Sequence, residues 1–401
     1  MTTDPRARRA LLLSYSDIES DPRVRRQVDW LISDGWDVET LGLGVHPSPQ
    51  IAEHHVLGPA PRWTTTKWGT LVAQFLLTAP ARFRATVTSR IPEALRARVR
   101  AGRYGLIVFN EYEFTPWVDD RRDFTPNALA GALHLDLHEY RRTDRRRDTV
   151  GGRLTAGHYR WVRRHIGDPA FTSRTVVCAP IGELYAEEFG FPAPRVVQNA
   201  PPFVAQEPSP VDEGEIRMLF HGMPSMHRGF AEILEAMRTL PPRFSMTFMI
   251  MPNAFMHGWL RDQIDAHPAK ERLHIVPPAP MREIAERINE YDMEIIFYRP
   301  REKNLEFALP NKFFESIQGR LAIVVAEGRT MAPIVREWDN GVVVTSGYEG
   351  SDLAAALEGL TAADFDRMKR GSHAAAQRLN AAAEGRNFLG ALEGRSAGRP
   401  G

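Results

Sequence analysis

The chain has 401 residues, of which 43% are hydrophobic and 25% are charged, and its net charge is +1. These values are typical of soluble globular proteins, and the length suffices for two domains with separate cores. So small a net charge gives no reason to expect nucleic acid as a partner. Most of the positive charge is arginine, which indicates a high-GC bacterial genome.

The single cysteine, Cys178, excludes an internal disulfide framework, and its apolar neighbours predict a buried strand thiol. The polar N-terminus lacks the apolar core of a signal peptide. No apolar stretch approaches the roughly 20 residues that cross a bilayer. We therefore expect a cytoplasmic protein.

Short apolar runs alternate with amphipathic segments in the first half of the chain. Asp21 and Pro22 predict a helix start, since Asp caps a helix N-terminus and Pro fits the first turn; the helical spacing of apolar residues continues to about Gly35. Such alternation predicts a parallel sheet with helices on both faces. The predicted strands are 10–13, 38–43, 106–109, 133–137 and 174–179.

Residues 63–100 differ from this pattern, because Trp, Phe and Leu are mixed with Arg and Lys in a long segment that is predicted to be helical. One interpretation is a set of helices packed on the domain with solvated arginines. The other is a basic amphipathic surface that touches a membrane or a lipid-linked acceptor. Both stay open at this point.

A stretch rich in proline and acidic residues, 201–215, predicts a linker, after which the alternation restarts. The sequence thus predicts two successive doubly wound α/β domains, at 1–203 and 204–372. The elements predicted for the second domain are a helix at 229–237 and strands at 218–220, 245–251, 273–276, 293–297, 321–325 and 341–344.

Ligands of open parallel sheets bind beyond the carboxyl ends of the strands. That rule selects seven segments with small or polar residues, and Asp17, Asn110, Glu139 and Pro278 lie in four of them. The segments are 14–17, 110–113, 136–140, 221–229, 277–280, 298–304 and 326–329.

The segment 308–315 carries the strongest local signal. Pro310 predicts the first turn of a helix, whose free N–H groups and dipole favour an anion. Asn311 and Lys312 belong to this turn, and Lys312 adds a full positive charge. Glu315 lies about one turn further on, where a carboxylate could accept hydrogen bonds from ribose hydroxyls. An ordinary helix start with surface Lys and Glu is the alternative.

The segment 221–229 is a second candidate. His221 and Gly222 end a predicted strand, and Gly229 opens a helix, so the backbone could approach a diphosphate closely. Arg228 could grip phosphate oxygens in bidentate fashion. The segment matches neither GxGxxG nor a Walker loop, so a plain strand-to-helix connection stays open.

His138 follows a predicted strand of the first domain, where it could donate a hydrogen bond to a sugar hydroxyl or a phosphate. A structural histidine is the alternative. No cluster of His, Cys and Asp has metal-ligand spacing, and no nucleophile elbow is present, so we expect no metal and no cofactor.

Taken together, these segments resemble the retaining GT-B glycosyltransferases of family 4 over nearly the whole chain. Arg23 lies in the first of them, and His138 and Glu139 lie in a segment that resembles the family's Asp-x-His-Glu motif. The resembling segments are 20–26, 35–38, 136–139, 198–201, 221–229, 291–292, 308–315 and 334–344.

The resemblance implies two Rossmann-like domains that face a central cleft, with a nucleotide-sugar donor bound by the second. The final helices, after about residue 373, would pack back on the first domain. UDP- and GDP-sugars are the expected donors, used without a metal. The residues implied in catalysis are His138, Arg228 and Lys312; those implied in donor binding are His221, Gly222, Pro278, Glu306, Asn311 and Glu315.

The acceptor would bind to the first domain, near Asp17, Arg23, Asn110 and Glu139. A glycan, a lipid-linked molecule or a metabolite are the expected acceptor classes. The arginine-rich run 141–147 is interpreted either as a solvated loop or as a contact to an anionic acceptor.

Two departures from the family pattern are the reason to consider a degraded relative beside an active enzyme. Phe307 stands where the family's Glu-x7-Glu motif has its first glutamate, with Glu306 one residue out of register. Met223 replaces the motif arginine, and Arg228 replaces the motif lysine. The alternatives to an active transferase are a non-catalytic subunit of an envelope-assembly complex and a sugar-nucleotide epimerase.

Overall fold

The computed structural model describes residues 8–141, 150–299, 303–345 and 347–393. Contacts between residues divide the chain into two compact units. Unit 1 comprises residues 1–197 together with 385–401, and unit 2 comprises residues 198–384. Each unit is built around one parallel sheet.

Unit 1 contains seven strands and seven α-helices within its described residues, before the return of the chain at residue 385. The strands are β1 Arg9–Asp17, β2 Asp37–Leu43, β3 Glu53–Val56, β4 Leu106–Asn110, β5 Ala132–Leu137, β6 Phe171–Val176 and β7 Arg195–Val196. The helices are α1 Pro22–Ser33, α2 Lys67–Leu76, α3 Ala79–Thr86, α4 Glu93–Arg100, α5 Pro126–Leu129, α6 Val150–Arg164 and α7 Ala179–Phe189.

The strands of unit 1 lie in the order β3-β2-β1-β4-β5-β6-β7, and each neighbouring pair is parallel. The order reverses between β1 and β4, which is the switch point where ligands of such sheets bind. The central strands are mostly apolar, as expected for a sheet that helices cover on both faces.

Unit 2 has six strands and nine α-helices in its described ranges, the last of which continues into unit 1. The strands are β8 Ile216–Gly222, β9 Phe244–Ile250, β10 Leu273–Val276, β11 Met293–Ile296, β12 Ala322–Ala326 and β13 Gly341–Val344. The helices are α8 Phe230–Met237, α9 Ala254–Asp265, α10 Ile284–Arg287, α11 Lys303–Glu306, α12 Asn311–Gln318, α13 Met331–Trp338, α14 Gly350–Leu357, α15 Ala362–Ala376 and α16 Ala381–Glu393.

The sheet of unit 2 has the order β10-β9-β8-β11-β12-β13, again with parallel neighbours. Its switch point lies between β8 and β11. These two strands pair only at Met218–Met293 and Leu219–Glu294, although β8 continues to Gly222. The prediction of two doubly wound parallel-sheet domains is confirmed.

Local signals placed several elements correctly. Asp21 caps α1 by accepting hydrogen bonds from the backbone N–H groups of Arg23 and Val24, and Pro22 occupies the first turn. The segment predicted to be helical after residue 63 contains α2, α3 and α4, with one short 3-10 turn before α2 and another between α3 and α4. Cys178 is buried, but it lies at the N-cap of α7 and not in a strand, because Pro180 already belongs to the helix.

The last described helix, α16, contributes to the core of unit 1. Phe388 is fully buried there with Ala10, Leu12 and Val28. Its ring lies 5.6 Å from the ring of Trp30 and 5.3 Å from that of His134, measured between centroids. The C-terminal part of the chain therefore closes the core of the first sheet.

We expect Phe388→Ala to destabilise unit 1 by about 3–5 kcal/mol, because it removes a buried ring and leaves a cavity. Urea unfolding followed by circular dichroism measures this loss. Phe255→Ala is the matched control, since Phe255 is 71% exposed and its removal should change stability by less than about 0.5 kcal/mol. Equal effects of the two substitutions would contradict the assigned packing of α16.

Candidate functional site

The strand-to-helix connection after β8 depends on two glycines. Gly222 ends β8 with φ of 106°, and Gly229 caps α8 with φ of 81°. A Cβ at Gly229 would lie 2.5 Å from the carbonyl oxygen of Phe297, so a side chain does not fit. Glycine therefore lets this loop run close against the strand-end residues that follow β11.

The buried side chain of His221 lies between two carboxylates at the end of β8. Its Nδ1 donates to Glu294 Oε2 over 2.9 Å, and its Nε2 donates to Glu315 Oε2 over 3.0 Å. The backbone N–H of His221 donates to the other oxygen of Glu294 at 3.1 Å. Burial alone would lower the pKa of His221, but Glu294 and then Glu315 raise it to about 9. At neutral pH His221 is an imidazolium.

Lys312 projects from the first turn of α12 into the same place. It is 4% exposed, and its Nζ lies 3.3 Å from the centroid of the Phe220 ring and 3.8 Å from Glu294 Oε1. The Nζ has no hydrogen-bond partner among the described residues. Burial lowers the pKa of Lys312 to about 7, against the attraction of Glu294. Gly222 faces this side chain, with 3.7 Å between an ideal Cβ and Lys312 Cε.

Arg228 and Tyr298 complete the polar groups on this side of the sheet. Arg228 donates from a guanidinium NH group to the carbonyl oxygen of Met223 over 3.1 Å, and its guanidinium lies 5.9 Å from the centroid of the Tyr298 ring. The Tyr298 hydroxyl is buried and has no partner among the described residues. The charge of Arg228 also lowers the pKa of Lys312, so the two cations lie within electrostatic reach of each other.

The structure thus brings His221, Gly222, Lys312 and Glu315 together, with Arg228 close by, at the switch point of unit 2. Sequence reasoning missed Glu294, which organises the group. The only signal was an acid inside the otherwise apolar strand 293–297. An ionisable residue at such a position is rarely buried without a partner.

The other residues assigned to donor binding are Pro278, Glu306 and Asn311. Pro278 follows β10, the edge strand, and Glu306 ends α11. No hydrogen bond or ion pair in the described parts of unit 2 joins either side chain to Lys312. Asn311 is the first residue of α12 and is half-buried. Phe307 is buried, with the guanidinium of Arg329 5.6 Å from its ring centroid.

A second polar cluster lies in unit 1, around a fully buried aspartate in β5. Asp136 accepts from Arg23 Nε at 2.6 Å, from Gln27 Nε2 at 2.5 Å and from Thr175 Oγ1 at 2.6 Å. Burial would raise the pKa of Asp136, but the charges of Arg23 and His138 hold it well below the ordinary value. Arg23 is 4% exposed and also donates to the carbonyl of Val197, so it lies beneath the surface as a support.

His138 is held by this cluster at the end of β5. Its Nε2 lies 3.0 Å from Asp136 Oδ2 and 3.3 Å from Asn110 Oδ1, and its backbone N–H donates to Glu111 Oε1 over 2.7 Å. Burial opposes the charged ring, yet Asp136 and then Glu111 raise the pKa of His138 above its ordinary value. The imidazole therefore has a fixed orientation and a favoured positive charge.

The remaining acceptor-side residues, Asp17 and Glu139, have contacts that do not involve the His138 side chain. Asp17 ends β1 and packs against Gly44, where a Cβ would lie 2.3 Å from its Oδ1. Glu139 is exposed and forms an ion pair with Arg141 at 3.2 Å. Most of the arginine-rich run, 142–147, lies outside the described residues.

Among the residues that the structure describes, one group of side chains has the spacing of a metal site: Glu39, Glu53 and His55 in unit 1. A guanidinium already occupies the position between the carboxylates, since an NH group of Arg98 lies 2.9 Å from Glu39 Oε2 and 2.5 Å from Glu53 Oε2. The Tyr104 hydroxyl donates to Glu39 at 2.5 Å. We therefore interpret the group as a charge network and not as a metal centre.

Among the described helices, none combines the length and the apolar character that a membrane crossing requires.

No known protein family has a sequence profile that matches the chain, and no curated protein matches it by sequence. Solved structures do match. A sucrose-phosphate synthase from Thermosynechococcus elongatus has a TM-score of 0.69 at 14% identity, over 97% of this chain and 99% of that one. The α,α-trehalose 6-phosphate synthase from Burkholderia multivorans has a TM-score of 0.65 at 13% identity, over 98% and 99%.

The Anabaena protein HepE, solved in complex with UDP and glucose, has a TM-score of 0.64 at 13% identity, over 96% of this chain and all of that one. The matches extend over both units, and two parallel sheets with flanking helices are what this two-domain fold requires. The chain has the GT-B fold. The fold prediction made from the sequence is confirmed.

We expect NMR titration of the His221 ring to give a midpoint near pH 9, and Glu294→Gln to move it down toward the ordinary value of about 6.5. Because the pKa is raised in the folded state, the stability that His221 contributes is complete below about pH 6.5. It is lost as the pH rises through 9. His221→Asn identifies the signal, and a midpoint near 6.5 in the unaltered protein would contradict the two-carboxylate arrangement.

Proposed function

We propose that the chain is a glycosyltransferase that moves a sugar from a nucleotide-diphosphate-sugar to a glycan, a lipid-linked molecule or a metabolite. The observation that carries the proposal is Lys312, a buried cation for which the described residues supply no hydrogen-bond partner. Burying a cation in this way costs stability, so such a group is expected where an anion binds. A diphosphate at the end of β8 would supply that anion.

The surrounding groups support a diphosphate in this position. Lys312 lies in the first turn of α12, whose free N–H groups and dipole also attract negative charge. Arg228 brings a second cation, and Gly222 leaves room beside Lys312 for a ligand. HepE, which matches both units of this chain, has been solved with UDP and with UDP-glucose, and this supports a nucleotide sugar as the ligand here.

Glu315 is our candidate for the ribose of the donor. Its Oε2 is fixed by the imidazolium of His221, and its side chain is 18% exposed. The carboxylate is thus oriented by one oxygen and retains acceptor capacity for hydroxyl groups. His221 and Glu294 orient Glu315 and Lys312, and we assign them as positioning residues.

The chemistry that we propose needs no enzyme nucleophile. The leaving diphosphate gains negative charge as the glycosidic bond breaks, and Lys312 and Arg228 would stabilise that charge. The acceptor hydroxyl would attack from the same face, with retention of configuration and without a metal. His138, which Asp136 holds and whose pKa Asp136 raises, would donate a hydrogen bond to the transferred sugar.

A catalytically degraded relative, which binds nucleotide or glycan within an envelope-assembly complex, is the second candidate. Phe307 favours it, because a buried phenyl ring cannot hold the hydroxyls of a donor sugar as a glutamate does. Met223, exposed in the loop after β8, likewise removes one phosphate contact. Binding of the nucleotide sugar without hydrolysis or transfer would favour this candidate.

Peripheral contact with a cytoplasmic membrane is part of the proposal. Trp68, Val72 and Leu76 recur at helical spacing on α2 and are 78%, 49% and 76% exposed. An exposed apolar stripe of this kind on a helix with basic neighbours is typical of proteins that lie on a lipid surface.

We expect a thermal-shift screen with UDP, GDP and their sugars to find a stabilising nucleotide. A ligand at a hundred times its dissociation constant adds about 2.7 kcal/mol. Lys312→Met should lower the affinity for that nucleotide at least tenfold, since a charge-assisted hydrogen bond is worth about 1.5–3 kcal/mol.

Lys270→Met is the matched control, since Lys270 is an exposed lysine of the same unit. Arg228→Ala should lower the affinity for the nucleotide, as Lys312→Met does. Full affinity in both variants would place the donor elsewhere, and the absence of a shift with every nucleotide would exclude the transferase and the nucleotide-binding relative alike.

Nucleotide binding should also take up a proton. The pKa of Lys312 is about 7 in the ligand-free protein, and a neighbouring diphosphate favours the charged form, so the bound pKa is higher. Between these two pKa values, affinity should fall by up to about tenfold for each pH unit gained. Calorimetry at pH 8 in buffers of different ionisation enthalpy measures the uptake. Lys312→Met should abolish it, and equal uptake in that variant would contradict the assignment.

A further inference from the structure

Two adjoining hollows lie in unit 1, at the edge of the sheet where β1 and β4 end. The inner hollow has a volume of about 220 Å³ and the outer one about 280 Å³. Tyr15, Arg82, Thr86 and His158 line both hollows, so the two lie side by side. None of the functional residues assigned above lines either hollow.

The inner hollow combines aromatic walls with one carboxyl group. The rings of Tyr112 and Tyr159 meet edge to face with centroids 5.7 Å apart, and Phe83 adds a third ring. Glu113 also lines this hollow, and its buried Oε2 has no partner among the described residues. Burial and then the charge of Glu111 raise the pKa of Glu113 to about 7. This carboxyl group could bind the hydroxyls of a sugar or polyol.

The outer hollow has the opposite charge. Arg82, Arg90 and His158 line it, and none of the described residues around it is acidic. The sequence from Leu57 to Pro92 contains no Asp or Glu at all. Arg90 donates to the carbonyl of Gly58 at 2.6 Å, and burial lowers its pKa. Two arginines and a histidine that line the same hollow favour a phosphate as its ligand.

We propose that the two hollows form one site for a phosphorylated sugar or polyol, whose hydroxyls lie against Glu113 and whose phosphate lies between Arg82 and Arg90. This site deepens the proposed function, on which it rests, by naming the acceptor as a molecule that carries both hydroxyls and a phosphate. The phosphate would fix the acceptor in place while a hydroxyl stays free to react.

The same chemistry could come from a soluble sugar phosphate or from a phospholipid headgroup. Trp63 and Thr64, which line the outer hollow, lie in the turn that directly precedes α2, where Trp68 and Leu76 are exposed. A lipid headgroup would therefore reach the hollow from a bilayer that touches α2. The two sources are separated by the probes chosen below.

The test measures binding of glucose 6-phosphate, glucose and inorganic phosphate by calorimetry. It also measures sedimentation with phosphatidylcholine vesicles that contain 30% phosphatidylglycerol or none. Each probe is used without nucleotide and with saturating UDP. We expect either glucose 6-phosphate or the phosphatidylglycerol vesicles to bind, and glucose to bind at least tenfold more weakly than its phosphate.

Arg90→Gln and Arg82→Gln should each lower the affinity for the probe that binds by about tenfold or more, while Arg121→Gln should leave that affinity unchanged. Arg121 is an exposed arginine of the same unit that does not line the hollows. Glu113→Gln should lower the affinity for glucose 6-phosphate but leave the affinity for inorganic phosphate unchanged. Circular dichroism melting of each variant separates loss of binding from loss of fold.

Failure to bind every probe in both conditions would overturn the site. Full affinity in both Arg90→Gln and Arg82→Gln would do the same, including the case in which vesicle binding depends on Trp68 alone. These outcomes are distinct from failure of the proposed function, which is read from nucleotide binding to unit 2. UDP can stabilise the chain while the hollows bind nothing, and the reverse can also occur.

Discussion

The arrangement of unit 2 depends on a carboxylate that is buried inside a parallel sheet. Glu294 lies in β11, where it is fully buried and flanked by apolar residues. A charge in such surroundings is tolerated only when opposite charges and donors surround it. His221 supplies two donors and Lys312 a further charge, so the end of β8 and the start of α12 must lie against the same strand. The strand-end loop and the helix N-terminus are brought together by this requirement.

Unit 1 meets a similar requirement in a different way. Asp136 is also fully buried, but Arg23, Gln27 and Thr175 bind it from three sides, so its charge is fully matched by neighbours. In unit 2 the balance is incomplete, because the Nζ of Lys312 has no hydrogen-bond partner in the part of the chain that the structure describes. The contrast distinguishes a cluster that orients a histidine from a cluster that is arranged for an incoming anion.

Sequence patterns predicted most of the fold because the central strands are apolar and lie between helices with clear start signals. Two edge strands escaped notice: β3 is polar and β7 has only two residues, so neither produces an apolar run. The site was predictable where chemistry follows directly from position, as for Lys312 in the first turn of a helix. Glu294 was not, since a single acid within an apolar strand gives no hint of the residues that will surround it.

The hollows of unit 1 were beyond sequence reasoning for a related reason. Their walls come from the end of β1, from α3, from the turn after β4 and from α6, which are distant in the chain. Each contributes one or two ordinary residues, such as Tyr15 or Glu113, that match no motif. Only the absence of acids between Leu57 and Pro92 was visible in advance, and it has no meaning until the surface to which it belongs is known.

The close approach of Gly229 to Phe297 has a consequence for how this chain can diverge. Any larger residue at 229 would collide with a backbone oxygen, and α8 could not begin where it does. Three of the five positions before Arg228 are exposed and meet no such limit: Met223, Met226 and His227. Variation among descendants should therefore accumulate within the loop, while its final glycine stays unchanged. The loop can acquire new ligand contacts without altering the path of the backbone.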